Sequence, residues 1–95
     1  MKQSIFTVLS NEQIAVNTFK TVLEGDTSAI TASGQFVNIK LDGFYLRRPI
    51  SVCDYDGKSL TIIYKVVGKG TEYMSELSEG DKLDILTGLG NGYDL

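Results

Sequence analysis

Two short segments hold residue types from which an anion site can be built. The first is Leu46-Arg47-Arg48-Pro49-Ile50-Ser51. Adjacent guanidinium groups beside a proline-restricted backbone could grip an anionic ligand where a strand begins, since Pro49 pushes Arg48 out of the helical region. Neighbours along a strand point to opposite faces, so Arg47 and Arg48 do not share one job. The plainer reading is two solvent-facing cations that add solubility. Ser51 is open in the same way: its hydroxyl could satisfy a heteroaromatic ring or simply decorate a strand.

The second segment is Val67-Gly68-Lys69-Gly70-Thr71. Two glycines around a lysine allow a tight turn into a helix, where free amides and the helix dipole attract phosphate and the Thr71 hydroxyl adds a donor. The full phosphate-loop pattern G-x-x-x-x-G-K-[ST] is absent, which weakens a nucleotide-hydrolase reading. An ordinary loop with a Thr71-capped helix remains the alternative. Taken together, the two segments suit one diphosphate better than either does alone, and a dinucleotide would offer one. With no histidine in the chain, His-dependent acid–base chemistry is excluded. That counts against hydrolases more than against flavoproteins, whose cofactor carries the chemistry.

The elements that must position these segments read as an all-β protein. Strands are expected over Ser4–Leu9 (with Asn11-Glu12-Gln13 as a turn), Val16–Leu23, 36–41, Pro49–Cys53, Ser59–Val67 and Lys82–Leu86. Residues 27–35 are weakly patterned and read as a loop or brief strand. Asp42-Gly43 is a hairpin signal, and Asp54-Tyr55-Asp56-Gly57 should break the fourth strand. Ser59–Val67 is apolar on both faces, as a central strand would be. A helix of roughly two turns is expected after Gly70, capped by Thr71, with Met74 and Leu77 on one side and Gly80 as its stop. Cys53 reads as a buried or half-buried strand residue. Glu72, Glu76 and Glu79 read as a solvated face. The sum is a six-stranded antiparallel barrel with one short helix, closed because closure removes exposed strand edges.

Composition narrows the function classes. The 95 residues make one domain, and 42% hydrophobic residues are enough for a core. A net charge of −3 argues against a nucleic-acid surface. No apolar run approaches the ~18–20 residues of a membrane span, and the apolar stretch near the N-terminus is short for a signal peptide, so a cytoplasmic location is expected. The single cysteine excludes an internal disulfide and any cysteine cluster for zinc or iron–sulfur.

Gly34-Gln35-Phe36-Val37, Leu46-Arg47-Arg48-Pro49-Ile50-Ser51-Val52, 63–71 (IYKVVGKGT), Gly80-Asp81 and Leu89-Gly90-Asn91-Gly92-Tyr93 occur in this order. In these motifs the chain resembles the ferredoxin reductase-like flavoproteins and, more narrowly, the electron-transfer subunits of NAD-dependent, type B dihydroorotate dehydrogenases. The resemblance implies a Greek-key barrel that binds FAD over residues 1–95. Arg48 would meet the phosphates, and Pro49, Ile50 and Ser51 would line the isoalloxazine, with Ser51 near its N5 side. Ile63, Tyr64 and Lys65 would form a second contact strand, although Tyr64 could equally be core filling. Gly70 and Thr71 would form the pyrophosphate turn.

The same resemblance implies electron transfer between NAD(H) and an iron–sulfur cluster that communicates with an FMN-containing dihydroorotate dehydrogenase catalytic subunit. The nicotinamide-binding and cluster-ligating parts of that family have no counterpart in these 95 residues, so the barrel is expected to be incompetent alone and to self-associate through an uncovered apolar patch. Thr87-Gly88 also replaces the family's Gly-Pro pair. A non-enzymatic barrel that binds a protein or small ligand is the competing expectation.

Overall fold

The computed structural model describes residues 2–30, 34–40 and 48–87. Six strands form where apolar residues alternate: β1 (Lys2–Ala15), β2 (Thr18–Glu24), β3 (Phe36–Lys40), β4 (Arg48–Tyr55), β5 (Ser59–Lys65) and β6 (Lys82–Thr87). The helix α1 (Lys69–Ser75) lies between β5 and β6. Every neighbouring pair is antiparallel, and the order β1-β2-β5-β4-β3-β6 closes into a barrel. After β2 the chain leaves its neighbour, builds β3 and β4, and returns as β5 beside β2, which is the Greek-key crossover. The expected fold class is the one observed.

Alternation sends one row of each strand inward. Phe6 and Val8 of β1, Leu23 of β2, Val37 and Ile39 of β3, and Val52 of β4 are buried. So are Leu60, Ile62 and Tyr64 of β5 and Leu83 and Ile85 of β6, while Met74 of α1 joins the same cluster. Each fully buried aliphatic side chain of this kind contributes about 1.5–3 kcal/mol. β5 is central as expected, but only its Leu60, Ile62 and Tyr64 row faces the core, since Ile63 is 40% exposed.

Several element boundaries depart from expectation. Asn11-Glu12-Gln13 is not a turn: β1 runs on through it to Ala15. The strand serves two partners, β6 along Lys2–Thr7 and β2 along Thr7–Ala15, and register shifts between Val8/Ser10 and Gln13/Ala15 bend it from one to the other. The turn falls instead at Val16-Asn17, where Asn17 adopts φ 52°, a left-handed conformation that asparagine tolerates. β4 likewise continues through Asp54 and Tyr55.

Its register slips between Val52 and Asp54, and Cys53, at the slip, is exposed rather than buried. The break comes at Asp56, whose carboxylate oxygen Oδ1 accepts the amides of Lys58 and Ser59 at 2.8 Å each. Those hydrogen bonds favour the ionised form and hold its pKa below the ordinary 3.8. In the weakly patterned stretch, Thr27 and Ile30 are buried, with the Ile30 amide donating to the Thr27 carbonyl at 2.9 Å. The Asp42-Gly43 signal, Arg47, Thr87's neighbour Gly88 and the glycine-rich 88–95 segment lie outside the described residues.

Candidate functional site

The antiparallel pairing fixes which strand ends meet. β4 begins at Arg48 where β3 ends at Lys40 and β5 ends at Lys65, and β6 starts at Lys82 on the same rim. α1 follows β5 after only Val66, Val67 and Gly68. The two segments singled out for anion binding are therefore carried to one rim of the barrel by adjacent strands. A chain with net charge −3 nonetheless has a basic residue at the rim end of each of these four strands.

At that rim, α1 is set differently from the sequence expectation. Its cap is Gly68, in extended conformation at φ −171° and ψ −177°, and Thr71 lies inside the first turn. The Thr71 Oγ1 accepts the amides of Val67 at 2.9 Å and Gly68 at 3.2 Å, and donates to the Gly68 carbonyl at 3.1 Å. Thr71 is 7% exposed. Its hydroxyl thus locks the turn. What Gly70 and Thr71 can present to an anion is their backbone amides, which have no partner four residues back within the helix.

The far end of α1 is anchored by Asn11. Its Nδ2 donates to the carbonyls of Leu77 at 2.9 Å, Met74 at 3.0 Å and Ser75 at 3.3 Å. Nothing in the sequence pattern marks Asn11 for this, because the partners lie more than 60 residues away. Its Oδ1 accepts from Thr21 at 2.7 Å and from the Tyr64 hydroxyl at 3.4 Å. Tyr64 also stacks on Phe19, with centroids 6.2 Å apart and planes 17° apart. Burial raises its pKa above the ordinary 10.0, opposed by the hydrogen bonds with Thr21 and Asn11. The structure places Tyr64 in the core, on the opposite face of β5 from Ile63 and Lys65.

A second surface lies on the outside of β3, β4 and β5. Pro49 and Ser51 are exposed, whereas Ile50 between them is half-buried opposite Val37. Phe36 stands directly across from Ser51, and Asn38 across from Pro49. Next to the inward pair Val52 and Ile62, alternation puts Ser51 of β4 and Ile63 of β5 on the outer face. The result is a hydroxyl framed by apolar neighbours, continuous with the basic rim. Of the nine residues expected at a cofactor site, Pro49, Ser51, Ile63 and Lys65 share this exterior, and the Arg48 backbone and the Gly70–Thr71 turn lie at its rim end. Phe36 belongs to one of the motifs that carry the resemblance but has no expected site role from the sequence, since only the β3–β4 register shows that it faces Ser51.

The remaining surfaces are less suggestive. A cavity of about 200 Å³ between β1, β3, β6 and α1 is lined by Ile5, Lys40, Tyr73, Lys82, Leu83 and Asp84. Among the described residues, no group of three or more His, Cys, Asp or Glu could hold a metal ion, and no helix is long and apolar enough to cross a membrane.

Comparison with known proteins gives two kinds of similarity. No protein-family model matches the chain. The dihydroorotate dehydrogenase B (NAD(+)) electron transfer subunit of Streptococcus mutans is 45% identical over 93 residues, which cover 94% of this chain and 36% of the relative. The corresponding subunit of Fusobacterium nucleatum is 44% identical over 101 residues, covering 100% and 39%, and that of Listeria monocytogenes is 38% identical over 99, covering 100% and 39%. This chain therefore spans under two-fifths of these relatives' length. Among solved structures, an Amycolatopsis cytochrome P450 reductase superposes with a TM-score of 0.75 at 23% identity, over 88% of this chain and 27% of the other. A flavohemoglobin from Malassezia yamatoensis, solved with bound FAD and heme, superposes at 0.69 with 16% identity, over 92% and 25%. At such identities these two matches speak to the barrel fold.

Proposed function

Because this chain matches the electron transfer subunits of dihydroorotate dehydrogenase B at 37–45% identity over nearly its full length, we propose that residues 1–95 form the FAD-binding barrel of an electron-transfer flavoprotein. The observation that carries the reading is the shared rim: β4 opens at Arg48 where β5 leads into the Gly68–Thr71 turn. One diphosphate placed there would meet a guanidinium-bearing strand start and the first amides of a helix. The outer face beside it suits a planar heteroaromatic ring, with Pro49 and Ile63 supplying apolar contact and the exposed Ser51 hydroxyl available to a ring nitrogen.

FAD, when bound, supplies the redox chemistry. The protein's part is to bind and orient. Arg48 neutralises phosphate charge, the amides of Gly70 and Thr71 donate hydrogen bonds to the remaining phosphate oxygens, and the Thr71 hydroxyl holds their turn in shape. Ser51 orients the ring through its hydroxyl, and Lys65 adds positive charge at the end of β5. Ile50 and Tyr64 support the site from beneath, through the core side of their strands.

In the complete assembly the proposed role is to pass electrons between NAD(H) and a dihydroorotate dehydrogenase catalytic partner, through an iron–sulfur cluster that this chain's single cysteine cannot ligate. The barrel alone would bind flavin without oxidising NADH. Titrating the purified, folded chain with FAD and following flavin fluorescence and visible absorption tests the proposal. Saturable binding is expected. A folded sample that ignores FAD would instead favour a non-enzymatic barrel serving a protein or small-ligand partner.

A further inference from the structure

We infer that Asn11 is a positioning residue for diphosphate binding: by clamping the C-terminal end of α1 it sets where the Gly70 and Thr71 amides stand at the rim. The inference deepens the FAD reading and rests on it. α1 has seven residues, too few for a helix to hold its own shape in water, so its placement depends on what grips it. Met74 is fully buried, with Tyr73 and Leu77 packed against the same core. Apolar contact of that kind is non-directional and leaves the helix free to tilt about Met74. Hydrogen bonds are directional, and Asn11 supplies them: its Nδ2 donates to the carbonyls of Leu77, Met74 and Ser75 at 2.9, 3.0 and 3.3 Å. These carbonyls lie where a helix runs short of its own donors. Asn11 is itself held, since its Oδ1 accepts from the buried Thr21 hydroxyl at 2.7 Å.

The helix carries that restraint to the rim. Gly70 precedes Met74 by four residues, about 6 Å along the axis, so a tilt of about 10° moves its amide by about 1 Å. A phosphate hydrogen bond stretched from about 2.9 to about 3.9 Å is no longer one. Asn11 touches none of the residues assigned to phosphate and acts on them only through α1.

The experiment titrates wild type, Asn11→Asp and Asn11→Leu with FAD and with riboflavin, which has the ring and lacks the diphosphate, and follows flavin fluorescence. Asn11→Asp keeps an oxygen for Thr21 but turns a second oxygen on the helix carbonyls, and Asn11→Leu removes both sets of bonds. Gly25→Ala, whose added Cβ meets the Phe6 ring, controls for lost stability. FAD should bind the folded Asn11 variants about tenfold more weakly, with riboflavin within about twofold of wild type. Gly25→Ala, measured where it is folded, should match wild type for both. The phosphorus NMR resonances of bound FAD should shift in Asn11→Asp, a signal that a merely structural role would not move. Unchanged FAD affinity in the folded Asn11 variants overturns this inference alone. Equal weakening of FAD and riboflavin, or the same loss in Gly25→Ala, also overturns it, by reducing Asn11 to a stabiliser of the barrel. A folded wild type that binds neither flavin overturns the FAD reading as well.

Discussion

The hydroxyl of Thr21 donates to Oδ1 of Asn11 at 2.7 Å, in a pair that ties β2 to β1 from inside the barrel wall. Thr21 is fully buried, so its hydroxyl depends on protein partners rather than on water. With its oxygen committed, Asn11 turns Nδ2 toward three carbonyls at the end of α1. One side chain thus fastens the helix that closes the rim to the sheet that forms it.

Asn11→Leu should therefore destabilise the protein by about 2–3 kcal/mol, because helix-end carbonyls and the buried Thr21 hydroxyl, left with only the longer contact to Tyr64, each lose a hydrogen bond together. Urea denaturation of both proteins measures it. The double variant Asn11→Leu/Thr21→Val should cost less than the sum of the singles, since the two residues share one bond. Additive costs would show that they act separately.

Gly25 sits against the ring of Phe6. A Cβ built there would lie 2.6 Å from Cδ2, 2.8 Å from Cγ and 2.9 Å from Cε2 of that ring. Phe6 is completely buried and has little freedom to retreat. Gly25→Ala should cost about 1–3 kcal/mol through overpacking, read as a lowered thermal midpoint. The variant Gly57→Ala, where nothing lies within 4 Å, should change the midpoint far less.

Arg48→Ala should weaken FAD binding by roughly 1.5–3 kcal/mol if a charge-assisted hydrogen bond to phosphate is lost. Riboflavin, with no phosphate, should bind both proteins equally. Added salt should weaken FAD binding to wild type more than to the variant. Equal losses for the two flavins would place the effect of Arg48 on the barrel rather than on phosphate.

Tyr64 makes stability sensitive to alkali. Burial, only partly offset by hydrogen bonds, keeps its folded pKa above the unfolded 10.0. Above that value the unfolded chain gives up the phenolic proton more readily than the folded one, so stability is complete below pH 10 and drains away as pH rises through the folded pKa. Tyr64→Phe removes this contribution. Denaturation curves at about pH 9 and about pH 11 should show a smaller loss in the variant than in wild type. An identical loss would mean that other groups carry the alkaline sensitivity.

Much of this protein is written locally. β-branched and aromatic residues at every second position place strands at Phe36–Lys40, Ser59–Lys65 and Lys82–Thr87, because a period of two needs no knowledge of the partner strand. The segments around Arg48 and Gly68–Thr71 stand out for the same reason, as residue types whose chemistry is visible without coordinates.

What tertiary structure alone decided is who faces whom. The length of β1 depended on its having two partners, so a local turn signal at Asn11-Glu12-Gln13 yielded to pairing with β2 along Thr7–Ala15. Thr71 looked like a cap, yet closure of the turn made Gly68 the cap and drew the hydroxyl inward. Asn11 found its anchor in Leu77 and Phe36 its cross-strand neighbour in Ser51, residues remote in sequence. Such meetings follow from barrel register, a property of the whole sheet, whereas local pattern specifies only which residues prefer to be extended and which side of a strand they share.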